Sequence, residues 1–323
     1  MTELADFAAR LTALTDGRAS APRIRDGVMT LSLDVGGLGP DQRDGLAAAI
    51  REGGMTVPGV SDVRIAMTAE RRPLRILAVA SGKGGVGKST VSTNLAVAFA
   101  QMGLRVGLLD ADVYGPSAPK MMGVDGDPLF ENEKLQPLEA HGVKLMSIGF
   151  IVDEGKAMIW RGPMASSAVR QMIHDVAWGS EKEPLDVLVV DLPPGTGDIQ
   201  LTLVQKLRID GVVLVTTPQE IALIDARRAA VMFEKTATPI LGLIENMAFF
   251  ADPSTGAPIP IFGEGGGVAE AERLKVPLLG RVPIEMGVRI GGDEGSPAVV
   301  SEPKGQAAQV FVAAAKALWK AVG

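Results

Sequence analysis

The sequence predicts an α/β fold in which short buried strands alternate with helices. Apolar runs of five or six residues, typical of strands buried on both faces, recur along the chain. The clearest unit joins a strand at residues 76–80 to a helix at 90–102 through a glycine-rich turn. A further strand is predicted at 105–109, so these three segments indicate a strand–helix–strand unit.

Composition excludes several classes of protein. The chain has 323 residues, 46% of them hydrophobic, so a substantial core is expected and extensive disorder is not. The formal charge of −6 disfavours nucleic acid and anionic membranes as partners. No apolar run approaches the ~18 residues of a membrane span, and the N-terminus lacks the features of a signal peptide, so we expect a cytoplasmic protein. Because the sequence contains no cysteine, disulfides and thiolate metal sites are excluded within this chain.

Residues 1–70 are predicted to form a small, separate α+β domain, and residues 74–323 a larger one. A polar linker at 71–73 joins the two. No catalytic constellation is visible in the small domain, which favours a docking or interaction role. Its predicted elements are helices at 4–14 and 40–52 and strands at 27–35 and 60–67.

The larger domain continues the alternation of strands and helices. Beyond the first unit, strands are predicted at 143–148, 186–191, 211–216, 239–245 and 278–281. Helices are predicted at 164–176, at 220–233, from the glycines at 263–267 to Lys275, and at 303–322. Residues 249–262 contain three prolines and are predicted to form an ordered loop.

The glycine-rich turn is a candidate phosphate-binding site. Residues 81–90 read S-G-K-G-G-V-G-K-S-T and fit the pattern G-x-x-x-x-G-K-[ST]. Since the turn leads into a helix, backbone N–H groups and the positive end of the helix dipole can bind an anion. Lys88 would reach the β- and γ-phosphates of ATP, and the Ser89 hydroxyl would coordinate Mg²⁺. The other residues expected around the nucleotide are Gly82, Lys83, Gly84, Gly85, Val86, Gly87 and Thr90.

Polar residues follow three of the predicted strands. Of Asp110 and Asp112, one can orient the attacking water and the other the shell of Mg²⁺ ligands, with a plain surface turn as the alternative. Asp191 ends an apolar run, as in a Walker B strand, and is expected to hold Mg²⁺ through water. Asn246 can pair with the edge of adenine or cap a turn.

The loop after Asp191 is a candidate sensor of hydrolysis. It reads L-P-P-G-T-G-D and contains two prolines and two glycines. Either Gly195 or Gly197 can offer a backbone N–H group to the γ-phosphate.

Together these motifs resemble those of the Mrp/ApbC/Nbp35 family, whose members are P-loop ATPases that carry or assemble iron–sulfur clusters. Besides the turn at 81–90, the matching blocks are D-A-D-V-Y-G-P-S at 110–117, D-L-P-P-G-T-G-D at 191–198, E-N-M at 245–247 and I-F-G-E-G-G-G at 261–267. The resemblance covers residues 74–320. It implies a doubly wound, mostly parallel sheet of the P-loop NTPase type, and residues 20–70 resemble a degenerate, MIP18-like domain.

The resemblance also implies an ATPase that uses ATP and Mg²⁺ and works as a homodimer with iron–sulfur assembly or client proteins. Lys83 resembles the extra lysine of the MinD/ParA/nitrogenase-iron-protein group, which reaches across a dimer interface to the partner's nucleotide. A solvated loop lysine is the alternative. Residues that carry over to nucleotide and Mg²⁺ positions are Lys83, Lys88, Ser89, Thr90, Asp112, Asp191 and Asn246, with catalytic roles for Lys83, Lys88 and Asp112.

The sequence departs from this family at the cluster site. Family members place C-x-x-C just after E-N-M, whereas Asp252 and Thr255 stand at the matching positions here. Oxygen ligands suit iron–sulfide chemistry poorly, so an iron–sulfur cluster is implied by the family but disfavoured by these residues. An alternative function is a MinD- or ParA-like positioning ATPase that acts on a surface or a partner protein. We expect neither nucleic acid nor membrane as a partner.

Overall fold

The computed structural model describes residues 2–35, 40–68, 74–151, 162–180, 183–252 and 254–322. The chain divides into two compact units, Met1–Arg72 and Pro73–Gly323. The predicted linker at 71–73 lies outside the described residues.

In the described part of the smaller unit, two helices pack against a three-stranded sheet. Its elements are α1 (Thr2–Thr15), β1 (Arg23–Arg25), β2 (Val28–Asp34), α2 (Pro40–Met55) and β3 (Asp62–Thr68). The central strand β2 pairs antiparallel with β1 and parallel with β3. Met29, Leu31 and Leu33 alternate along β2 and are buried with Phe7 and Leu11 of α1, because alternate residues of a strand share one face.

The larger unit contains an eight-stranded sheet of order β15-β12-β11-β4-β10-β5-β9-β8 among the described residues. Seven strands are parallel, and the short edge strand β8 runs antiparallel to β9. The strands of this sheet are β4 (Arg75–Ser81), β5 (Val106–Asp110), β8 (Leu138–Ala140), β9 (Val143–Ser147), β10 (Val187–Asp191), β11 (Gly211–Thr216), β12 (Ile240–Glu245) and β15 (Leu278–Arg281). Among the residues with a described structure, two hairpins of this unit lie outside the sheet, β6 (Phe130–Glu131) with β7 (Lys134–Leu135) and β13 (Phe250–Ala251) with β14 (Pro258–Ile259).

Helices cover both faces of this sheet. Within β4, Leu77 and Val79 pack in one core cluster, while Ala78 and Ala80 pack in another. Residues of α3 and α11 belong to the first cluster, and residues of α5 and α6 to the second. The doubly wound, mostly parallel α/β fold is therefore confirmed. The helices of this unit are α3 (Lys88–Gln101), α4 (Ala118–Met122), α5 (Gly162–His174), α6 (Asp198–Lys206), α7 (Glu220–Lys235), α8 (Gly266–Leu274), α9 (Met286–Glu294), α10 (Ala298–Ser301) and α11 (Gln306–Val322).

The structure adds elements that were not predicted, among them α6, α9 and the hairpin β6–β7, and it corrects predicted segments in two places. The segment at 249–262, expected to be a loop, contains the hairpin β13–β14. The helix expected at 303–322 begins at Gln306, and α10 precedes it as a separate short helix. Phe311 and Leu318 of α11 are buried in the core. Among the described residues, no helix is both long enough and apolar enough to cross a membrane.

Candidate functional site

The glycine-rich turn connects β4 to α3 and requires glycine at specific points. Gly85 and Gly87 have φ angles of 80° and 82°, in the left-handed region that residues with a Cβ atom rarely adopt. Gly82 packs against α7, and a Cβ atom there would lie 2.0 Å from the carbonyl oxygen of Asp225. The turn is therefore held in one shape by close backbone contacts.

Asn246 also holds the turn. It follows β12, is 5% exposed, and donates from Nδ2 to the carbonyl oxygen of Val86 at 2.9 Å. A Cβ atom at Gly87 would lie 2.1 Å from the same nitrogen. The amide donor of Asn246 is thus engaged by the turn in this arrangement, a contact that the sequence did not reveal. The pairing of Asn246 with adenine stays a prediction.

Four of the predicted site residues meet where α3 begins. The Lys88 ammonium group is 6% exposed and donates to Oδ1 of Asp191 at 2.7 Å, while Oδ2 of Asp112 lies 3.4 Å from it. The Ser89 hydroxyl donates to Oδ2 of Asp191 at 2.5 Å. Ser92, which sequence reasoning missed, donates to Oδ1 of Asp191 at 2.8 Å. A fully buried carboxylate, Asp191, therefore links the lysine and the hydroxyls of the first turns of α3.

Burial and neighbouring charges shift the pKa values of Lys88 and Asp112. Burial alone would lower the pKa of Lys88, but the carboxylates of Asp191 and Asp112 outweigh it, so the pKa of Lys88 is raised and the ammonium group stays charged. Burial raises the pKa of Asp112, against the attraction of Lys88. A carboxylate with a raised pKa is a better proton acceptor.

Asp110 has a different role from Asp112. Its buried carboxylate accepts from the backbone N–H groups of Asp112 at 3.1 Å and Ala118 at 3.0 Å, and from the hydroxyl of Ser147 at 3.2 Å. Burial, reinforced by the charge of Asp191, raises the pKa of Asp110 to about 7. Asp110 thus shapes the segment that presents Asp112 to Lys88.

The remaining predicted residues border the turn. Thr90 is half-buried in the first turn of α3, and Gly84 is exposed. Lys83 is half-buried, and among the described residues its ammonium group forms no hydrogen bond or ion pair within the chain. The N–H group of Gly195 donates to the carbonyl oxygen of Ser81 at 3.0 Å, so in this arrangement it is not available to a phosphate. Gly197 is exposed and precedes α6.

Glu245 of the E-N-M block is a further residue whose position sequence reasoning did not explain. Its carboxylate is fully buried and accepts from the N–H group of Gly267 at 2.7 Å and from Nε of Arg281 at 2.8 Å. Glu245 therefore joins the start of α8 to β15, next to Asn246.

The positions of the family's cysteines lie at the tip of the hairpin β13–β14. Oδ1 of Asp252 accepts from the hydroxyl of Ser254 at 2.5 Å, from its N–H group at 2.8 Å, and from the N–H group of Thr255 at 3.0 Å. These hydrogen bonds, led by that of the Ser254 hydroxyl, lower the pKa of Asp252 to about 2. Oγ1 of Thr255 accepts from the N–H group of Ala257.

The residues at this tip do not fit an iron–sulfur cluster. Each would offer oxygen rather than thiolate, and each is already hydrogen-bonded within the turn. Across the described part of the chain, no group of three or more His, Cys, Asp or Glu residues could hold a metal ion.

Known proteins resemble the chain over most of its length. Residues 73–319 match the family model described as ParA, NUBPL iron-transfer P-loop NTPase. The iron-sulfur cluster carrier protein of Synechocystis sp. is 46% identical over 280 residues, which cover 81% of this chain and 78% of that protein. The iron-sulfur protein required for NADH dehydrogenase, mitochondrial, of Arabidopsis thaliana is 50% identical over 230 residues, 71% of this chain and 72% of that protein.

Solved structures share the fold of the larger unit. The nucleotide-binding protein of Archaeoglobus fulgidus in complex with ADP has a TM-score of 0.60 and 39% identity, covering 69% of this chain and 87% of that chain. The septum site-determining protein MinD of Pyrococcus horikoshii, complexed with Mg-ADP, has a TM-score of 0.57 and 26% identity, covering 77% of this chain and 98% of that chain. The site geometry and these similarities lead to one assignment: the chain belongs to the NUBPL iron-transfer family of P-loop NTPases.

Proposed function

We propose that this protein is a Mg²⁺-dependent ATPase that acts, as a homodimer, in the assembly of iron–sulfur proteins without holding a cluster on its own side chains. The observation that best supports ATPase activity is a cluster of four side chains beside the glycine-rich turn. These are Lys88, Ser89, Asp112 and Asp191. A charged lysine, a hydroxyl and two carboxylates at a helix N-terminus form the set that phosphoryl transfer requires.

Each residue has a separate task in this proposal. Lys88 binds the β- and γ-phosphates, since its raised pKa keeps it charged. Asp112, whose pKa burial raises, accepts a hydrogen bond from the attacking water and orients it. Ser89 would coordinate Mg²⁺ directly and Asp191 through water, and their oxygen atoms suit that ion. When bound, Mg²⁺ supplies positive charge that offsets the charge developing on the phosphates.

The iron–sulfur role rests on the relatives. Proteins named as iron-sulfur cluster carriers are 46–47% identical to this chain over 280 residues. Since the tip of the hairpin β13–β14 offers no thiolate, the cargo would be held by partner proteins, and this chain would supply the ATP-driven step. A positioning ATPase is less well supported, because the MinD structures are 20–26% identical.

The homodimer rests on the surface next to the turn. Ile221 and Ile224, one turn apart on α7, are 68% and 38% exposed. Asp225, the next residue, touches Gly82 through its backbone. Exposed apolar side chains on the helix that packs against the glycine-rich turn suit a subunit interface, and Lys83 would then reach the nucleotide of the second subunit.

The test is a nucleotide-dependent change in thermal stability. Mg-ATP should raise the Tm of the wild-type chain, because a ligand that binds the folded state stabilises it. Lys88→Ala should abolish that increase and the hydrolysis of ATP, since the phosphates lose their cation. Lys120→Ala, which removes an exposed lysine of α4, is the matched control and should behave like the wild type. An equal increase in Lys88→Ala, measured from its own baseline, would refute the assignment.

A further inference from the structure

Gln200 is a buried polar residue to which the proposed mechanism gives no role. It lies in α6 and is 1% exposed, yet neither its amide nitrogen nor its amide oxygen has a hydrogen-bond partner among the described residues. No other side-chain nitrogen or oxygen atom buried in the described part of the chain lacks a partner. An unpaired buried donor or acceptor costs free energy, and native proteins contain few of them.

The surroundings of Gln200 are apolar, so an aliphatic residue at this position would avoid that cost in free energy. Ile199, Leu203 and Val204 of the same helix are buried in an apolar core cluster. An aliphatic residue at position 200 would fit such a face without leaving polar atoms unpaired. Natural proteins break such packing rules mainly at functional sites, where the chain has to adopt a second conformation.

The position of Gln200 connects it with the phosphate site. It is the third residue of α6, and helical side chains lean toward the N-terminus of their helix, so its side chain is directed toward the end of α6 that follows the loop at 192–197. The N-cap residue, Gly197, provides no side-chain hydrogen bond to that turn. The free N–H groups of an uncapped first turn attract an anion, which here must approach beside the exposed carboxylate of Asp198.

The loop that connects β10 to α6 is hydrogen-bonded to the strand that leads into the glycine-rich turn. The loop begins after Asp191, which accepts from Lys88 and Ser89. Its backbone is bonded to the end of β4, from Leu192 to the carbonyl oxygen of Val79 and from Gly195 to that of Ser81. A change at Asp191 or Ser81 on nucleotide binding would therefore move the start of α6.

We propose that Gln200 is a positioning residue for ATP hydrolysis. Its amide gains hydrogen-bond partners when residues 192–197 rearrange around the terminal phosphate of ATP. The unpaired amide raises the free energy of the present arrangement relative to that one, so it favours the rearrangement. This inference rests on the proposed ATPase function and assigns a specific residue to its response to ATP.

The experiment compares the full chain with Gln200→Leu and with Gln200→Met, which keeps an unbranched side chain. Without nucleotide, we expect Tm to rise by about 2 °C or more, because two unpaired polar atoms are removed. The Tm increase with Mg-ADP should match the wild type, whereas the additional increase with Mg-ATP should be lost. The value of kcat should fall about tenfold with KM nearly unchanged, a split that altered stability alone would not produce.

The matched control is Gln101→Leu. The Gln101 side chain donates from Nε2 to the carbonyl oxygen of Val299 at 3.0 Å, so its replacement should lower Tm and leave the responses to ADP and ATP unchanged. A lower Tm in both Gln200 variants would show that the amide is already paired, and an unaltered difference between ATP and ADP would show that Gln200 is not a positioning residue. Either result overturns the proposal. A wild-type chain that responds to neither nucleotide would refute the ATPase function itself.

Discussion

Gly82 and Gly84 lie two residues apart in the glycine-rich turn but have different surroundings. A Cβ atom at Gly82 would collide with the backbone of Asp225 at 2.0 Å, whereas one at Gly84 would meet no atom within 4 Å. We therefore expect Gly82→Ala to lower the free energy of unfolding by about 1–3 kcal/mol. Gly84→Ala should change it by no more than about 0.5 kcal/mol. Urea unfolding without nucleotide measures both, and equal losses would contradict the packing described for Gly82.

The raised pKa of Asp110 predicts that the stability of the folded chain depends on pH. Its pKa rises from an ordinary value of 3.8 to about 7 in the folded chain. Below about pH 4 the carboxyl group is neutral in both the folded and the unfolded chain. Between about pH 4 and 7 only the unfolded chain releases the proton. The folded state therefore loses stability as pH rises through this window. Above about pH 7 the loss is constant. Asp110→Asn does not titrate, so its stability relative to the wild type should increase from about pH 4 to 7 and then level off.

Urea unfolding with a chelator present, at several pH values, measures this difference for Asp110→Asn. The amide introduced by this substitution keeps one oxygen that can accept from the N–H group of Ala118, but the hydrogen bond from the N–H group of Asp112 to the other oxygen is lost. That loss does not depend on pH, so it lowers the stability of the variant without changing its pH dependence. Asp125→Asn, at an exposed site without an ion pair among the described residues, is the control. A relative stability that decreases as pH rises would contradict the raised pKa.

Residue types were easier to predict than residue contacts. Lys88, Ser89 and Asp191 could be chosen as candidates from the sequence because each stands at a fixed place in a strand–turn–helix pattern, and the structure brings them together. The bond between Asn246 and Val86 spans 160 positions, and no local pattern encodes it. Ser92 was missed for a related reason: a serine inside a helix is common, and only the fold places it against Asp191.

At the scale of elements, the hairpin β13–β14 forms a closed turn that its own side chains stabilise. Iron and sulfide supplied anaerobically to the unmodified chain should leave no stoichiometric iron or sulfide after desalting, because the tip presents only oxygen atoms. Asp252→Cys combined with Thr255→Cys should bind both, since two thiolates from each subunit of a dimer supply the four ligands of a cluster. Metal and sulfide content per chain is the measurement.

The control for this experiment is Asp252→Ser combined with Thr255→Ser. It removes the carboxylate that accepts from Ser254 without adding a thiolate, so it should remain free of iron. Stoichiometric iron and sulfide on the unmodified chain would show that this protein holds a cluster through ligands other than those at the hairpin tip.

Long elements were predicted better than short ones. The helix expected at 90–102 is observed as Lys88–Gln101, and the strand expected at 186–191 as Val187–Asp191. The hairpins β6–β7 and β13–β14 have strands of two residues, too short to show an alternating pattern. Helix α9 was also missed, because Gly287, Gly291 and Gly292 lower its helical propensity, and its stability comes from packing.

At the scale of the whole molecule, the order of the strands assembles the site. In the sheet, β10 lies between β4 and β5, and Asp191 is in register with Val79 of one and Asp110 of the other. The carboxyl ends of these strands therefore meet beside the phosphate-binding turn, where ligands bind in open α/β sheets. The sequence predicted the strands but not this order, because β10 lies far beyond β5 along the chain and only tertiary packing inserts it between β4 and β5.

In the proposed homodimer, Lys83 would extend the site beyond one chain. No contact of its ammonium group within the described part of the chain explains a lysine at this position. The neighbouring residue, Gly82, packs against the backbone of Asp225 in α7, the helix that carries the exposed Ile221 and Ile224. If Lys83 acts on the nucleotide of a second subunit, Lys83→Gln should still bind ATP but hydrolyse it at least about a hundredfold more slowly, since a charge-donating finger supplies about 10³–10⁵-fold. ATP binding is read from the increase in Tm, and turnover from phosphate release.

Mixing two inactive variants tests whether that action crosses the dimer. A Lys83→Gln subunit keeps Lys88, and a Lys88→Ala subunit keeps Lys83, so a mixed dimer contains one complete site. With random exchange about half of the dimers are mixed, and about a quarter of wild-type turnover should return. A chain carrying both substitutions, mixed with Lys83→Gln, has no complete site and should stay inactive. Absence of rescue, with mixed dimers demonstrated by native mass spectrometry, would place the action of Lys83 within its own subunit.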